Sequence, residues 1–508
     1  MINHHTKIID LSTASKIIEQ EKQKKKTVGL CHGVFDLVHI GHIKYLHSAK
    51  KLCDVLIVTI TPDIFVNKGP SRPAFTENLR LEFLASLEMI DFVALNQWPT
   101  AIETLQLLQP SLYIKGPDYK DLSKDTTNNI QKEKDAIEKV GGQLVFTDDE
   151  IHSSSKLLLE YSQLYTQEQK LYFQKLREIL TFEDISSYFA KLRDIKVLVV
   201  GESIIDSYCY CDALGKSGKE PVLNMRFLKQ EDYLGGVLAI AKHLHGLGCK
   251  TEVLSLLGEN REYEDFILEN TKGISSHFFT KKNSPTIVKK RYVDAYSQAK
   301  LLGIYEIEDS YIEEEQEKVI LSWMHTHLQN FDVILVADYG HGFLTPNIIK
   351  YLCEHAPYLA LNTQINSANI GFHTISKYLK ADFVCIHTGE LHQDYRNKLE
   401  TTEKLTIDLS KKLQTQRTCI TMGKSGLLGY NTVDKTLEQC PAFASKIVDR
   451  VGAGDTVLSV TSILSYIQAP LILTLVAGNL AGAFAVSIEG NKQSIDSIFL
   501  LKSIKGLL

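Results

Sequence analysis

At 508 residues the chain is too long for one ordinary core, and two to three domains are expected. Hydrophobic residues make up 44% and charged residues 23%, with 12 prolines, which leaves no room for long disorder and describes a globular enzyme. A net charge of −5 argues against a general nucleic-acid binder, and the one basic cluster, Lys22 to Lys26, closes a helical pattern as a solvated helix end.

Nine cysteines are scattered from Cys31 to Cys440 without zinc spacing. Most fall inside apolar runs, where free thiols pack as small hydrophobes, so a reducing cytoplasm is expected. The first residues contain no apolar signal region. Leu471 to Ile488 is nearly apolar, but Thr474, Asn479 and small residues break it, so a buried helix is expected and no membrane partner.

In chain order, Ile8 to Lys26 has helical spacing, with Leu11, Ala14, Ile17 and Ile18 on one apolar face. Thr27 to Cys31 is a short strand-type run, and His42 to Ala49 is again helical, with Ile43, Leu46 and Ala49 on one face. Between them lies His32-Gly33-Val34-Phe35-Asp36-Leu37-Val38-His39-Ile40-Gly41-His42. The N–H groups and positive dipole of a first helical turn favour an anion there. His39 and His42, three apart at that turn, can both face it, and Gly33 and Gly41 let backbone approach a ligand closely. Two imidazoles beside a triphosphate suit the stabilisation of charge on an α-phosphoryl group as pyrophosphate leaves.

Val55 to Ile60 is a continuous apolar run, expected of a central parallel strand covered on both faces. Lys68-Gly69-Pro70-Ser71-Arg72-Pro73 is a loop with two cations, followed by helical spacing from Asn78 to Met89 that includes Arg80. Cations here could hold phosphates. Leu112 to Tyr119 is a strand ending in Lys115-Gly116-Pro117-Asp118-Tyr119. Leu144-Val145-Phe146 leads to His152-Ser153-Ser154-Ser155-Lys156, whose hydroxyls could bond phosphate oxygens or cap a helix.

These residues carry a resemblance. The His39-Ile40-Gly41-His42 string is shared by nucleotidylyltransferases and class I aminoacyl-tRNA synthetases, but no Lys-Met-Ser-Lys-Ser loop follows. With its surroundings, the segment from about Lys7 to Leu159 closely resembles the cytidylyltransferase-like family. The resemblance implies a Rossmann-like domain in which His39 and His42 are catalytic. It also implies that His32, Gly33, Phe35, Lys44, Lys68, Arg80, Lys115, Ser153 and Ser154 bind nucleotide or phosphate. Heptose adenylyltransferases of this family usually read Asn-Gly where this chain has His32-Gly33, which is nearer the glycerol-phosphate-type cytidylyltransferases, so both ATP and CTP stand open as the nucleotide.

Tyr161 to Leu192 is polar and helical in pattern, a helical linker. A fresh strand opens at Lys196 and runs through Gly201 to Asp206. Leu234-Gly235-Gly236 starts an Ala-rich helix, and Ile287 to Tyr292 carries Lys289, Lys290 and Arg291, cations that a phosphorylated sugar would need. Val333 to Asp338 is another strand, followed by Tyr339-Gly340. In Asp449-Arg450-Val451-Gly452-Ala453-Gly454-Asp455-Thr456, glycines let consecutive N–H groups converge on a phosphoryl group at a helix start, with Asp455 placed to take a proton from the attacking hydroxyl. Gly423-Lys424-Ser425 ends like a P-loop, but Thr418 stands where that loop needs Gly.

The Gly-Ala-Gly-Asp-Thr run, with the strand openings before it, resembles the ribokinase-like (phosphofructokinase-B-type) sugar kinases. That implies Asp455 as catalytic base, Gly452, Ala453 and Gly454 on phosphate, and Asp206, Gly235, Gly236, Arg291 and Asp338 near the sugar. Asn479 would be near adenine or purely structural. Two segments depart from the family pattern. Leu361-Asn362-Thr363-Gln364 stands for Asp-Pro-Lys, and His387-Thr388-Gly389-Glu390 stands for Asn-x-x-Glu, so Glu390 alone remains to organise magnesium.

Both halves together resemble the bifunctional ADP-heptose synthesis family with transferase and kinase in reversed order. The expectation is an α/β protein with a nucleotidylyltransferase domain over 1–160, a helical linker over 161–192 and a ribokinase-like kinase domain over 193–508. It would need Mg2+ and ATP, with CTP as the other nucleotide. It would phosphorylate a sugar, foremost a heptose phosphate, at the anomeric position and transfer a nucleotidyl group to the sugar 1-phosphate. A cytoplasmic homo-oligomer is expected. The other reading is a cytidylyltransferase for a different sugar or polyol phosphate, with the second half reduced to a binding or dimerising module.

Overall fold

The computed structural model describes residues 4–66, 72–117, 129–148 and 165–508. It contains two compact units, one made of the chain up to Lys170 together with Lys505–Leu508, and one running from Leu171 to Ile504. Among the described residues no helix is long and apolar enough to cross a membrane, and all nine cysteines are free thiols.

The first unit alternates strands and helices: β1 (Ile8–Ile9), α1 (Leu11–Gln23), β2 (Val28–Gly33), α2 (Ile40–Lys51), β3 (Val55–Ile60), α3 (Glu77–Ala85), β4 (Phe92–Leu95), α4 (Ile102–Leu108), β5 (Leu112–Lys115), α5 (Asn129–Lys139) and β6 (Gln143–Phe146). The strands form one sheet in the order β1-β4-β3-β2-β5-β6, parallel throughout. Every residue of β3 is buried, as a parallel strand covered on both faces requires. The α1 helix starts at Asp10, whose carboxylate accepts the Thr13 N–H at 2.6 Å, and it buries Leu11, Ala14 and Ile18. The chain goes from β2 to β3 on one side and returns to β5 on the other, so the carboxyl end of β2 is the switch point where ligands of open α/β sheets bind.

The segment expected as a linker is, in its described part, two helices, α6 (Gln167–Ile179) and α7 (Phe182–Ala190). It is no solvated spacer. Tyr172, Phe173 and Leu176 are buried, the Tyr172 hydroxyl donates to Glu438 at 2.8 Å, and Phe173 packs on Phe443 with ring centroids 5.1 Å apart.

The rest of the second unit comprises β7 (Lys196–Gly201), β8 (Ser203–Lys216), β9 (Leu223–Gly236), α8 (Val237–Gly246), β10 (Lys250–Gly258), α9 (Glu264–Asn270), β11 (Ser275–Lys281), β12 (Ile287–Asp294), β13 (Lys300–Glu306), α10 (Glu314–His327), β14 (Val333–Asp338), α11 (Pro346–His355), β15 (Leu359–Thr363), β16 (Phe383–His387), α12 (Thr388–Asp394), α13 (Thr402–Lys412), β17 (Arg417–Thr421), β18 (Leu427–Asn431), β19 (Thr436–Cys440), α14 (Ala453–Tyr466) and α15 (Leu471–Ser487). Nine strands make one sheet, β11-β10-β7-β14-β15-β16-β17-β18-β19, and four make a second, β13-β12-β8-β9. The α15 helix is the apolar stretch near membrane length, and it is buried along most of its length; a last helix, α16 (Ser497–Lys505), follows it.

The strand read as continuous from Lys196 to Asp206 is two strands in two sheets. Gly201 makes the break: its φ is +149°, and a Cβ there would lie 2.0 Å from the Ala337 carbonyl oxygen. Asp206 therefore belongs to the four-stranded sheet, directly opposite Lys289 in the parallel β8·β12 register.

Candidate functional sites

In the first unit, β2 ends at Gly33 and α2 begins at Ile40 with His39 as its N-cap. His39 Nδ1 accepts the Gly41 N–H at 3.1 Å, and His42 Nδ1 accepts the His39 N–H at 3.4 Å. This is a reciprocal cap made by two imidazoles, with ring centroids 4.2 Å apart. Since Nδ1 accepts in both rings, these bonds assign the neutral proton to Nε2, which makes Nε2–H the donor edge of each ring. Phe35, at φ +48°, is buried against this pair, its ring centroid 5.5 Å from that of His42. A Cβ on Gly33 would meet the Phe35 ring at 3.1 Å.

Three expected phosphate ligands are engaged inside the fold. His32 bonds Thr59 through Nδ1 at 2.9 Å and Thr61 through Nε2 at 3.3 Å. Burial, and then the nearby Lys115 charge, hold its pKa down to about 3, so it is a neutral brace between strand ends. Arg80 is 2% exposed and donates to the carbonyls of Phe75 at 3.1 Å, Val34 at 2.5 Å and Thr61 at 2.9 Å, and to Asp63 at 2.5 Å. Its guanidinium ties loops together, a task that a lone phosphate contact would interrupt. Lys115 is buried and paired with Glu133 at 3.2 Å, and Glu133 also accepts the Tyr113 hydroxyl at 3.0 Å. Lys44 is exposed on α2. Lys68, Ser153 and Ser154 lie outside the described residues.

A buried ion pair that sequence reading did not single out is Asp36 with Arg72, whose side chains are 0% and 3% exposed. Asp36 also accepts the N–H groups of Ala74 at 2.6 Å and Phe75 at 3.2 Å, which fixes the chain entering α3. Asp36 inside the His-Gly-x-Phe-Asp string was the available signal.

In the second unit, α14 begins at Ala453 after Gly452, which caps it at φ +78° without any side-chain bond. A Cβ on Gly452 would overlap the Asn491 amide, whereas one on Gly454 would meet nothing within 4 Å. The first turn of α14 thus opens on space. Asp455 lies in that turn, and its Oδ1 accepts the Tyr339 hydroxyl at 2.8 Å. Burial raises its pKa to about 7, opposed by the Tyr339 bond, with Asp206 raising it and Lys289 lowering it.

Two sugar-side expectations, Asp206 and Arg291, meet each other: Arg291 donates to Asp206 at 2.6 Å. Gly235 is required beside them, since a Cβ there would lie 2.4 Å from Asp206 Oδ2, and Gly236 turns the chain into α8 at φ +57°. Lys289, on the same face of β12, is 8% exposed, and burial lowers its pKa. Its Nζ lies 5.7 Å from the centroids of Tyr305 and Tyr339. Lys289 was among the cations expected for a phosphorylated sugar, whereas Tyr339 is the group of this site that sequence reasoning left unassigned.

Asp338 is the other residue expected near the sugar. It is fully buried, accepts the Tyr378 hydroxyl at 2.7 Å and the Gly340 N–H at 3.1 Å, and pairs with Lys377 at 2.6 Å. With both oxygens engaged by protein donors, it holds the turn after β14. The Asn479 amide donates to the Cys440 carbonyl at 3.3 Å. Glu390 accepts the N–H groups of Ile365 at 3.1 Å and His387 at 2.7 Å, and burial raises its pKa to about 7. His387 Nδ1 accepts the Gly389 N–H at 3.0 Å as a helix cap.

A glycine-capped helix start opening beside a desolvated aspartate, with a cation and an Asp–Arg pair from a second sheet, defines an α/β phosphotransferase site of the ribokinase type. The model of the pfkB family carbohydrate kinases matches residues 194–497, and the chain belongs to that family. Ahead of it, residues 30–161 match the cytidylyltransferase-like family. Over 307 residues the chain is 28% identical to bifunctional protein HldE of Campylobacter jejuni subsp. doylei, covering 60% of this chain and 63% of that one. It is 34% identical over 149 residues, 29% of each chain, to bifunctional protein HldE of Syntrophotalea carbinolica. The first of these matches spans less than two thirds of its relative's length. Phosphofructokinase-2 from Escherichia coli, solved in complex with potassium, shares the fold, with a TM-score of 0.50 at 14% identity over 62% of this chain and 99% of that one.

Proposed function

We propose that the chain activates a phosphorylated sugar, foremost a heptose phosphate, in two steps. The second unit transfers the γ-phosphoryl group of ATP to the anomeric hydroxyl, and the first unit joins the resulting sugar 1-phosphate to a nucleotidyl group with loss of pyrophosphate. The observation that carries the reading is Asp455, a carboxylate with its pKa raised to about 7 in the open first turn of α14. A structural aspartate would be paired, whereas a base that works at neutral pH needs this poise.

In the kinase step, the N–H groups around Gly454 and the α14 dipole hold the transferring phosphoryl group. Asp455 takes the proton of the sugar hydroxyl as its oxygen bonds phosphorus and ADP departs. Asp206 accepts from sugar hydroxyls, while Arg291 and Lys289 balance the substrate's own phosphate.

The kinase family uses ATP and typically Mg2+. Among the described residues no group of three His, Cys, Asp or Glu side chains is arranged to hold a metal. Glu390 fits an ion held mainly by nucleotide phosphates and water, being a desolvated carboxylate with no ion-pair partner among the described residues and close enough to Asp455 for their charges to interact. His387, a nitrogen donor occupied by a backbone N–H, fits it poorly. Mg2+ supplies charge neutralisation on the nucleotide.

In the transferase step, the sugar phosphate oxygen attacks the α-phosphorus. The Nε2–H groups of His39 and His42 donate to the charge that develops as pyrophosphate leaves. ATP and CTP both remain candidates here.

The test is incubation with ATP or CTP and a panel of sugars and sugar phosphates, following ADP and pyrophosphate separately. ADP release with a heptose phosphate, and pyrophosphate release with a sugar 1-phosphate, are expected. Tight sugar binding without ADP release from any acceptor would replace the kinase reading by that of a binding module.

A further inference from the structure

We propose that Tyr339 is a positioning residue for phosphoryl transfer: its hydroxyl clamps one oxygen of Asp455 so that the other faces the acceptor hydroxyl. This rests on the kinase reading above.

The geometry begins with the backbone of Tyr339, which is pinned on both sides. Its N–H donates to Glu202 at 3.0 Å, and its carbonyl accepts the side-chain amides of Asn366 and Asn369, each at 2.9 Å. The ring is 2% exposed. A phenol anchored this way delivers its hydroxyl to one place, 2.8 Å from Asp455 Oδ1. Among the described residues no hydrogen bond from the protein reaches Oδ2, so that oxygen is left for substrate.

A carboxylate on a short side chain can rotate about its last bond, and a base must present a lone pair within hydrogen-bond reach of the proton it takes. The Tyr339 bond removes that freedom. The tyrosine does not itself give up a proton, because burial pushes its pKa well above 10. In the transfer, the acceptor O–H proton goes to Asp455 Oδ2, the acceptor oxygen bonds the γ-phosphorus, and the bond from that phosphorus to the leaving oxygen breaks with its electrons on ADP.

The bond also favours the charged form of the base. The other groups that face Asp455 electrostatically are Asp206 from β8, Lys289 from β12, Cys385 from β16 and Glu390 from α12. Only Lys289 among them favours the carboxylate, so loss of the Tyr339 hydroxyl leaves a base that holds its proton to higher pH.

The experiment compares wild type, Tyr339→Phe and protein carrying 3-fluorotyrosine at 339, using full-length chain, ATP and the sugar phosphate it turns over. Tyr339→Phe should move the acid limb of the kcat profile up by about one pH unit, with KM for the sugar unchanged. The fluorinated ring, a stronger donor of similar shape, should move the limb down. A kcat lowered in parallel at every pH, with the limb where wild type has it, would overturn the proposal and leave Tyr339 a packing residue. Absence of phosphorylation in wild type would overturn the kinase reading instead. The carbon-13 carboxyl titration of Asp455, assigned with Asp455→Asn, then decides alone: equal pKa values in wild type and Tyr339→Phe reject the clamp.

Discussion

Both units offer a helix N-terminus to an anion, and they prepare it in opposite ways. At α2 the cap is made by side chains: the Gly41 N–H is taken by His39 and the His39 N–H by His42. These caps leave the imidazole Nε2–H edges as the donors proposed to meet phosphate there. At α14 the cap is a glycine in the left-handed region, no side chain caps the first turn, and the Ala453 N–H reaches the Arg450 carbonyl at 3.5 Å, while among the described residues the Gly454 N–H meets no protein acceptor. The catalytic group differs accordingly. On the proposed function, two rings answer charge that develops on a phosphoryl group, whereas a desolvated carboxylate with a pKa near 7 takes a proton. The contrast teaches that a helix start announces an anion site, while the capping residue decides which atoms of the protein touch it.

The largest effect expected is at Asp455. Asp455→Asn keeps an acceptor for the Tyr339 hydroxyl but cannot take a proton, so ADP release should fall by about 10²–10⁴ while pyrophosphate release on supplied sugar 1-phosphate is unchanged. Equal loss in both reactions would mean that the two sites are not independent. His42→Ala is the mirror experiment. It should lower kcat for pyrophosphate release by about 10²–10³ with nucleotide affinity nearly intact, because the donor acts on charge present only in the transition state. A rise in Kd of the same size would instead make His42 a ground-state binding group.

Lys289→Met probes the buried cation of the second unit's site. The KM for a phosphorylated acceptor should rise about 10- to 100-fold, and that for an unphosphorylated sugar should stay where it is. Similar losses for both acceptors would remove Lys289 from substrate recognition.

The smallest effect is on stability. A carboxyl whose pKa is raised on folding contributes stability that is fully present below its unfolded pKa near 3.8 and is lost as pH rises through about 7. Asp455→Asn should therefore raise Tm by on the order of 2–4 °C above pH 7, with the gain fading toward pH 4. An equal gain at all pH values would trace to packing and not to the buried charge.

The sequence by itself determined what is local. The six buried residues of β3, all but Thr59 apolar, the strand, loop and helix around His39 and His42, and the glycine turn before Asp455 follow from periodicity and backbone freedom within short stretches. Both sites could be found from those stretches. Availability of each charge was another matter, because it depends on partners remote in the chain. Arg80 and Lys115 read as phosphate ligands, yet Val34, Thr61 and Asp63 surround the first and Glu133 pairs the second. Asp338 read as a sugar contact until Lys377 and Tyr378 were brought to it. Conversely, nothing near Lys289 in the chain shows that it lies opposite Asp206, which the parallel register of β12 on β8 decides. Nor does anything near Tyr339 point to Asp455, more than a hundred residues away. A buried ion's charge is either neutralised by whatever the fold packs against it or left poised for chemistry, and only the tertiary structure makes that choice.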